Sequence, residues 1–244
     1  MITDLPDTTA SAVDKKLIDL REHAGVTTLG RVLTLIIVTT DGRFDEPLEA
    51  AVRASHEHPA RMIVLDIDAD SADSGLDAEI RLGSDAGSGE VVILRARGDV
   101  VTGLDTLLTP LLLPDAPIVA WWPCSPPSAP CQDVVGSLAQ RRITDALSAK
   151  DPEAVLKRLR RGYSRGDSDM TWSRLTTWRG LIATAYEVPP VSAPTSVVVE
   201  GDPANPSVIL MAAWLEEMLD TEVRVEENRD GVSGLVAVRL HRED

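Results

Sequence analysis

The chain has 244 residues, of which 43% are hydrophobic and 26% charged, and its formal net charge is −15. That length can bury a real core and suits one large domain or two small ones. The negative balance opposes nucleic acid or anionic membrane as a partner, since both select a basic footprint.

The opening, MITDLPDTT, is acidic and has no basic patch followed by an apolar run, as a signal peptide would. SAVDKKLIDLREHAG places Ser11 and Asp14 at capping-box spacing, with Val13, Leu17 and Leu20 on one face, which predicts a short amphipathic helix ending at Gly25. RVLTLIIVTTDG follows as an apolar, β-branched run closed by a turn, and is expected to be a buried strand. Asp45 is expected to cap a helix over EPLEAAVRASHEH, where Pro47 falls in the first turn. RMIVLDI is the next strand, so strand, helix and strand predict a parallel β-α-β unit. LDAEIRLG and GEVVILRAR, joined by SDAGS, read as an antiparallel hairpin.

VTGLDTLLTPLLL is expected to be helical up to its prolines, and APIVAWW to be a strand. The apolar tract through these segments contains Pro110, Pro114, Pro117, Asp105 and Asp115, so it cannot run as one membrane helix. PCSPPSAP is loop by composition, after which VVGSLAQRRITDALS and DPEAVLKRLRRG read as helices, the latter with Asp151 as cap and Gly162 at its end. TTWRGLIATAYE is a further short helix. TSVVVEGDP is a strand, NPSVILMAAWLEEMLD a helix capped by Asn205, and EVRVEEN and GVSGLVAVRLHRED are strands around a turn. The grammar near residues 32–67 thus recurs near 195–227. The expected fold class is α/β: two related α/β halves, each a mixed sheet covered by helices. The boundaries expected are an N-terminal α/β domain over 1–133, then a helical connector and C-terminal α/β domain over 134–244. The chain stops on a strand with no closing helix, which leads us to expect that the second domain lacks a C-terminal piece.

Three stretches imitate ligand sites. Asp66, Asp68 and Asp70 have the first spacings of a calcium loop, but Ser71 stands at the glycine position and Asp77 at that of the bidentate Glu. GSDAGSGE is followed by a strand, whereas phosphate cradles use the helix N-terminus after their glycines. His56 and His58 have no third ligand near in sequence. No nucleophile elbow, Cys/His pattern or zinc spacing is present, so no metal, cofactor or catalytic set is expected. With only two cysteines, the chain suits a reducing cytoplasm.

The distribution of charge is uneven. Residues 141–179 hold ten Lys/Arg against five acids, a local +5 inside a strongly acidic chain. Trp172 and Trp178 lie in this segment, and Trp121 and Trp122 precede it, so it gathers four of the five tryptophans. Trp and Arg are the side chains most enriched at binding hot spots. Composition weighs equally for a plainer reading, in which tryptophans pack a core and Arg158, Arg160 and Arg161 complement a helix C-terminus.

The stretches HPARMIVLDI, LLLPDAPIVAWWP, SLAQRRITDA and GYSRGDSDMTWSRLTTWRGLIA, in this order, resemble the glucose-6-phosphate dehydrogenase assembly protein family, OpcA. The resemblance extends over about residues 2–240, taking in TTASAVDKKL and LGRVLTLIIV. It implies a non-enzymatic cytoplasmic protein, without cofactor, that binds glucose-6-phosphate dehydrogenase and promotes its assembly or activation, and so NADPH supply by the oxidative pentose phosphate pathway. Members of that family usually continue beyond the point where this chain stops. The candidate partner-binding residues are Trp121, Trp122, Arg141, Arg142, Asp145, Trp172, Arg174, Trp178 and Arg179, expected around the junction of the two halves. The alternative function is a sugar-phosphate sensor using arginine forks of the 141–179 segment, and a further rival is an unrecognised enzyme. Cys124 and Cys131, in the proline-rich loop CSPPSAPCQD that is particular to this sequence, are candidate redox residues, with two inert thiols the favoured reading.

Overall fold

The computed structural model describes residues 1–24, 32–40, 42–83, 89–189, 192–228 and 231–242. They form two compact units: Met1–Thr144 with Gly162–Asp167, and Asp145–Arg161 with Ser168–Asp244. The fold is mixed α/β, with a large and a smaller mixed sheet, each covered by helices.

In the first unit the elements are β1 (Ile2–Leu5), α1 (Ala10–Ala24), β2 (Leu33–Thr40), α2 (Asp45–Ala54), β3 (Ala60–Asp68), β4 (Gly75–Leu82) and β5 (Glu90–Arg97), followed by α3 (Leu104–Leu108), β6 (Ile118–Trp122), α4 (Val134–Leu138) and β7 (Arg141–Thr144). Their order across the sheet is β1-β4-β5-β3-β2-β6-β7, and β8 (Asp167–Asp169) begins at the β7 edge. β5, β3, β2, β6 and β7 run parallel, while β4 pairs antiparallel with both β5 and β1. Val13, Leu17 and Leu20 of α1 pack with Leu104, Leu107 and Leu108 of α3 on one face of this sheet. Phe44, Leu48 and Ala51 pack on the opposite face. Strands buried on both faces explain the unbroken apolar runs in β2, β3 and β5. At the start of β5, the fully buried Glu90 accepts from Arg21 Nε at 2.8 Å and from Arg61, whose guanidinium also reaches the Leu111 carbonyl.

The parallel β2-α2-β3 unit and the β4/β5 hairpin agree with the sequence, although the SDAGS turn and the helix stop at Gly25 lie outside the described residues. Three local expectations change. Thr9, rather than Ser11, accepts from the α1 amides, through Ala12 N at 3.3 Å. Asp45 is the first residue of α2 and makes no cap bond; Phe44 occupies the cap position. The segment expected to be helical from Val134 to Ser148 stops after α4, and Arg141–Thr144 becomes β7, paired parallel to β6. An unpaired β6 edge offers a full row of hydrogen bonds, and this tertiary gain outweighs a weak local helix propensity.

The second unit contains a 3-10 turn (Ala146–Ser148), α5 (Pro152–Arg161), α6 (Met170–Arg174), α7 (Thr176–Tyr186), β9 (Ser196–Gly201), α8 (Pro206–Leu219), β10 (Val223–Glu227) and β11 (Leu235–His241). The three-stranded sheet has the order β10-β9-β11, with β9 parallel to β10 and antiparallel to β11. The last two strands, read from the sequence as lying around a turn, are not paired with each other; both pair with β9, the most buried of the three. Asn205 caps α8 by accepting from Ser207 N at 2.8 Å. Val197 and Val199 of β9 pack with Val208, Met211 and Leu215 of α8 and with Leu175. The second parallel β-α-β unit expected from the sequence is thus β9-α8-β10.

Candidate functional site

The candidate residues divide between the two units. Trp121, Trp122, Arg141 and Arg142 belong to the first, and Asp145, Trp172, Arg174, Trp178 and Arg179 to the second.

In the first unit, alternation along β6 sends its two tryptophans to opposite faces of the sheet. Trp122 is buried among the α1/α3 side residues, whereas Trp121 is half-buried against the α2 side. The Trp121 indole N–H is enclosed with no hydrogen-bond partner among the described residues. Arg141 is exposed at the start of β7. Its neighbour Arg142 is buried and clasped: Nε donates to Asp167 Oδ1, Nη1 to the Ala139 carbonyl at 2.7 Å, and Nη2 to the Arg165 carbonyl at 2.7 Å. Asp167 also accepts from Ser164 N at 2.7 Å, and Arg142 N donates to Gly166 O at 2.9 Å. Gly166 has φ +102, and a Cβ there would lie 2.6 Å from Gln140 O and 2.8 Å from Arg142 Nη2. The sequence GYSRGD is thus a loop wrapped around one guanidinium. That guanidinium already meets a carboxylate and two carbonyls inside the fold.

In the second unit, Asp145 is buried and accepts a bidentate fork from Arg174, with Nη1–Oδ1 and Nη2–Oδ2 both 2.7 Å, and also the Ser148 hydroxyl at 2.9 Å. The hydrogen bonds of Asp145 hold the Arg174 pKa above its ordinary value, burial opposing and the charges of Asp145 and Asp169 adding. Arg174 stays 41% exposed, so a fixed, oriented cation reaches the surface. Asp169 caps α6 by accepting from Thr171 N at 2.9 Å and takes Ala146 N at 2.9 Å, tying the 3-10 turn to the start of α6. One turn further on, Arg179 stacks over the Trp172 ring at 3.8 Å from its centroid. Trp172 and Trp178 are half-buried against the core beneath α7 and α8. α7 itself has no buried residue, and Leu181 on it is 64% exposed. Of this nearly uncharged outer helix only Trp178 and Arg179 were among the candidates; the apolar composition of the rest, in TTWRGLIATAY, carries the signal for the whole face.

Cys124 and Cys131 are both half-buried free thiols. Among the described residues there is no group of three side chains able to hold a metal, and no helix long and apolar enough to cross a membrane. Asp66, first of the calcium-like series, accepts instead from Thr39 Oγ1 at 3.4 Å and from Gly42 N at 3.1 Å.

Two family models match the chain, both describing the glucose-6-phosphate dehydrogenase subunit: residues 51–161 match its N-terminal domain and residues 165–244 its C-terminal domain. Among curated relatives, all named as candidate OxPP cycle proteins OpcA, that of Nostoc punctiforme is 23% identical over 163 residues, 64% of this chain and 35% of the relative. That of Synechocystis sp. is 31% identical over 104 residues, 41% of this chain and 22% of the relative. That of Synechococcus elongatus is 27% identical over 138 residues, 53% of this chain and 31% of the relative. The chain therefore matches from about a fifth to about a third of the length of these relatives. No solved structure matches it.

Proposed function

The chain belongs to the glucose-6-phosphate dehydrogenase assembly family, OpcA, and on that basis we propose that it is a non-catalytic cytoplasmic protein that binds glucose-6-phosphate dehydrogenase and favours its active oligomer. The observation that carries this reading is the pair of family matches, which over residues 51–161 and 165–244 reach into both units. The side chains on the 141–179 segment support it. Arg174 is held in one orientation by Asp145, and Arg179 is held over Trp172. Such pre-ordered Trp and Arg groups lose little conformational entropy when a partner covers them. In this proposal Trp172, Arg174, Trp178 and Arg179 contact the dehydrogenase together with Arg141, while Trp121, Trp122, Arg142 and Asp145 brace the segments that present them.

The mechanism is a population shift. A partner that binds the active oligomer more tightly than the inactive form raises the active population by that difference in affinity, about tenfold for each 1.4 kcal/mol. Activation is allosteric, and NADPH supply by the oxidative pentose phosphate pathway is its consequence. The sugar-phosphate alternative is weakened because Arg142 is already bonded to Asp167 and to backbone carbonyls, and Arg174 is forked onto Asp145. Mixing the purified dehydrogenase with this chain, while following NADPH formation and elution volume together, tests the proposal. A faster rate with an earlier-eluting complex is expected; a rate and an elution volume both indifferent to the chain would overturn it.

A further inference from the structure

Residues Gly162–Asp167 belong to the first unit, although the chain on either side of them belongs to the second. This short loop is held down along its length. Gly162 lies against the proline-rich loop, where a Cβ would fall 2.3 Å from the Ser128 carbonyl oxygen. Asp167 Oδ2 accepts from Ser164 N, and Asp167 N donates back to Ser164 O at 3.0 Å. Arg142 N donates to Gly166 O, and its guanidinium to the Arg165 carbonyl and the Asp167 carboxylate. Apart from that carboxylate, the loop is fixed through its backbone alone. The side chains of Tyr163 and Arg165 take no part. Tyr163 is 67% exposed, Arg165 is exposed, and neither side chain is bonded among the described residues.

Stability alone gives little reason for this arrangement. A buried ion pair such as Arg142–Asp167 recovers little beyond its own desolvation, and apolar residues of similar volume commonly do as well. What the pair secures is one conformation of the loop, with a Tyr and an Arg placed outward. Both are residue types enriched at binding hot spots. The phenol ring offers a large rigid surface with few rotamers to freeze, and the guanidinium a fork matched to a carboxylate. A loop already fixed loses little entropy when it is covered. The net charge of −15 opposes an extended polyanion, whereas one cation near one ring suits a carboxylate beside an apolar side chain. We propose that Tyr163 and Arg165 form a contact point for a protein partner, the dehydrogenase of the proposed function, at an acidic patch on that enzyme. Arg165 meets an Asp or Glu there, and Tyr163 packs on the neighbouring apolar side chain. The inference rests on that function and adds to it a surface on the first unit.

Titration calorimetry of the full chain against purified dehydrogenase tests it, with the native chain and three variants. Tyr163→Ala and Arg165→Glu should each weaken binding at least tenfold, with denaturation midpoints unchanged because both side chains are exposed. Arg53→Glu makes the same change of charge at an exposed position on α2 of the first unit, and should change the affinity by less than about threefold. Native binding that either loop variant retains in full overturns this inference and leaves the proposed function standing. An equal loss in Arg53→Glu and Arg165→Glu overturns it too, since the effect is then one of total charge. If the native chain does not bind the dehydrogenase, the proposed function itself fails, and this inference with it.

Discussion

Arg142 and Arg174 show how one residue type takes two roles according to what surrounds it. Arg142 is enclosed with Asp167, both side chains below a tenth exposed. Removing one member of such a pair leaves a buried charge without its partner, at a cost of about 3–5 kcal/mol. Arg142→Met should therefore lower the denaturation midpoint sharply, whereas the double change with Asp167→Asn should recover part of the loss. Asp77 on β4 offers a test by pH. Its pKa is held below the ordinary value of 3.8, first by the Asp7 backbone N–H and then by Arg97, with burial opposing. The folded form thus favours the ionised carboxylate. The stabilisation is fully present above pH 3.8 and is lost as pH falls through the depressed value. Stability measured from neutral to acidic pH should show a constant gap between the native chain and Asp77→Asn down to about pH 3.8, closing below it. A gap that persists unchanged to lower pH would refute this assignment. Under the proposed function, if Cys124 and Cys131, both free and half-buried, are inert, the Ser/Ser double variant should match the native chain in dehydrogenase activation under oxidising and under reducing conditions.

At the scale of elements, the two sheets protect their strands unequally. β9 is paired on both sides and its Val197 and Val199 are buried, while β10 and β11 each have one edge unpaired among the described residues. α7 has no buried residue, whereas α8 buries Val208, Met211 and Leu215. Local opening is easiest where few apolar contacts must be broken. Amide exchange should therefore be slowest in β9 and α8, faster in β10 and β11, and fast along α7 in the free protein. If α7 docks the dehydrogenase, the complex should slow exchange there by at least tenfold. Gly136 in α4 marks another tight element. A Cβ would fall 1.8 Å from Pro130 O, a backbone atom, and 3.1 Å from the Trp122 ring. Gly136→Ala should cost about 1–3 kcal/mol and displace the proline-rich loop, readable as a change in Trp fluorescence.

For the whole molecule, the acidic chain and its basic segment combine to favour solubility with one region able to attract an acidic partner surface. Under the proposed function, Arg179→Ala removes a cation that stacks on Trp172 and donates to the Trp172 carbonyl and the Thr176 hydroxyl. The change should weaken dehydrogenase binding by about 2 kcal/mol or more, roughly thirtyfold, with thermal stability little changed. Equal affinity of the variant and the native chain would remove Arg179 from the contact surface.

Periodicity and turn chemistry in the sequence determined the mixed α/β class, the β2-α2-β3 and β9-α8-β10 units, the β4/β5 hairpin, and the caps at Asp151 and Asn205. These depend on neighbours a few residues apart. The family too was legible, because several long stretches kept their order. Tertiary structure alone decided that RRIT would be a strand, that β10 and β11 would flank β9, and that Arg142 would turn inward while Arg174 kept a surface. Each of these outcomes rests on a partner distant in sequence: the edge of β6, the apolar β9, Asp167 and Asp145. Strand pairing and the burial of charge are settled by such partners, which local propensity does not encode.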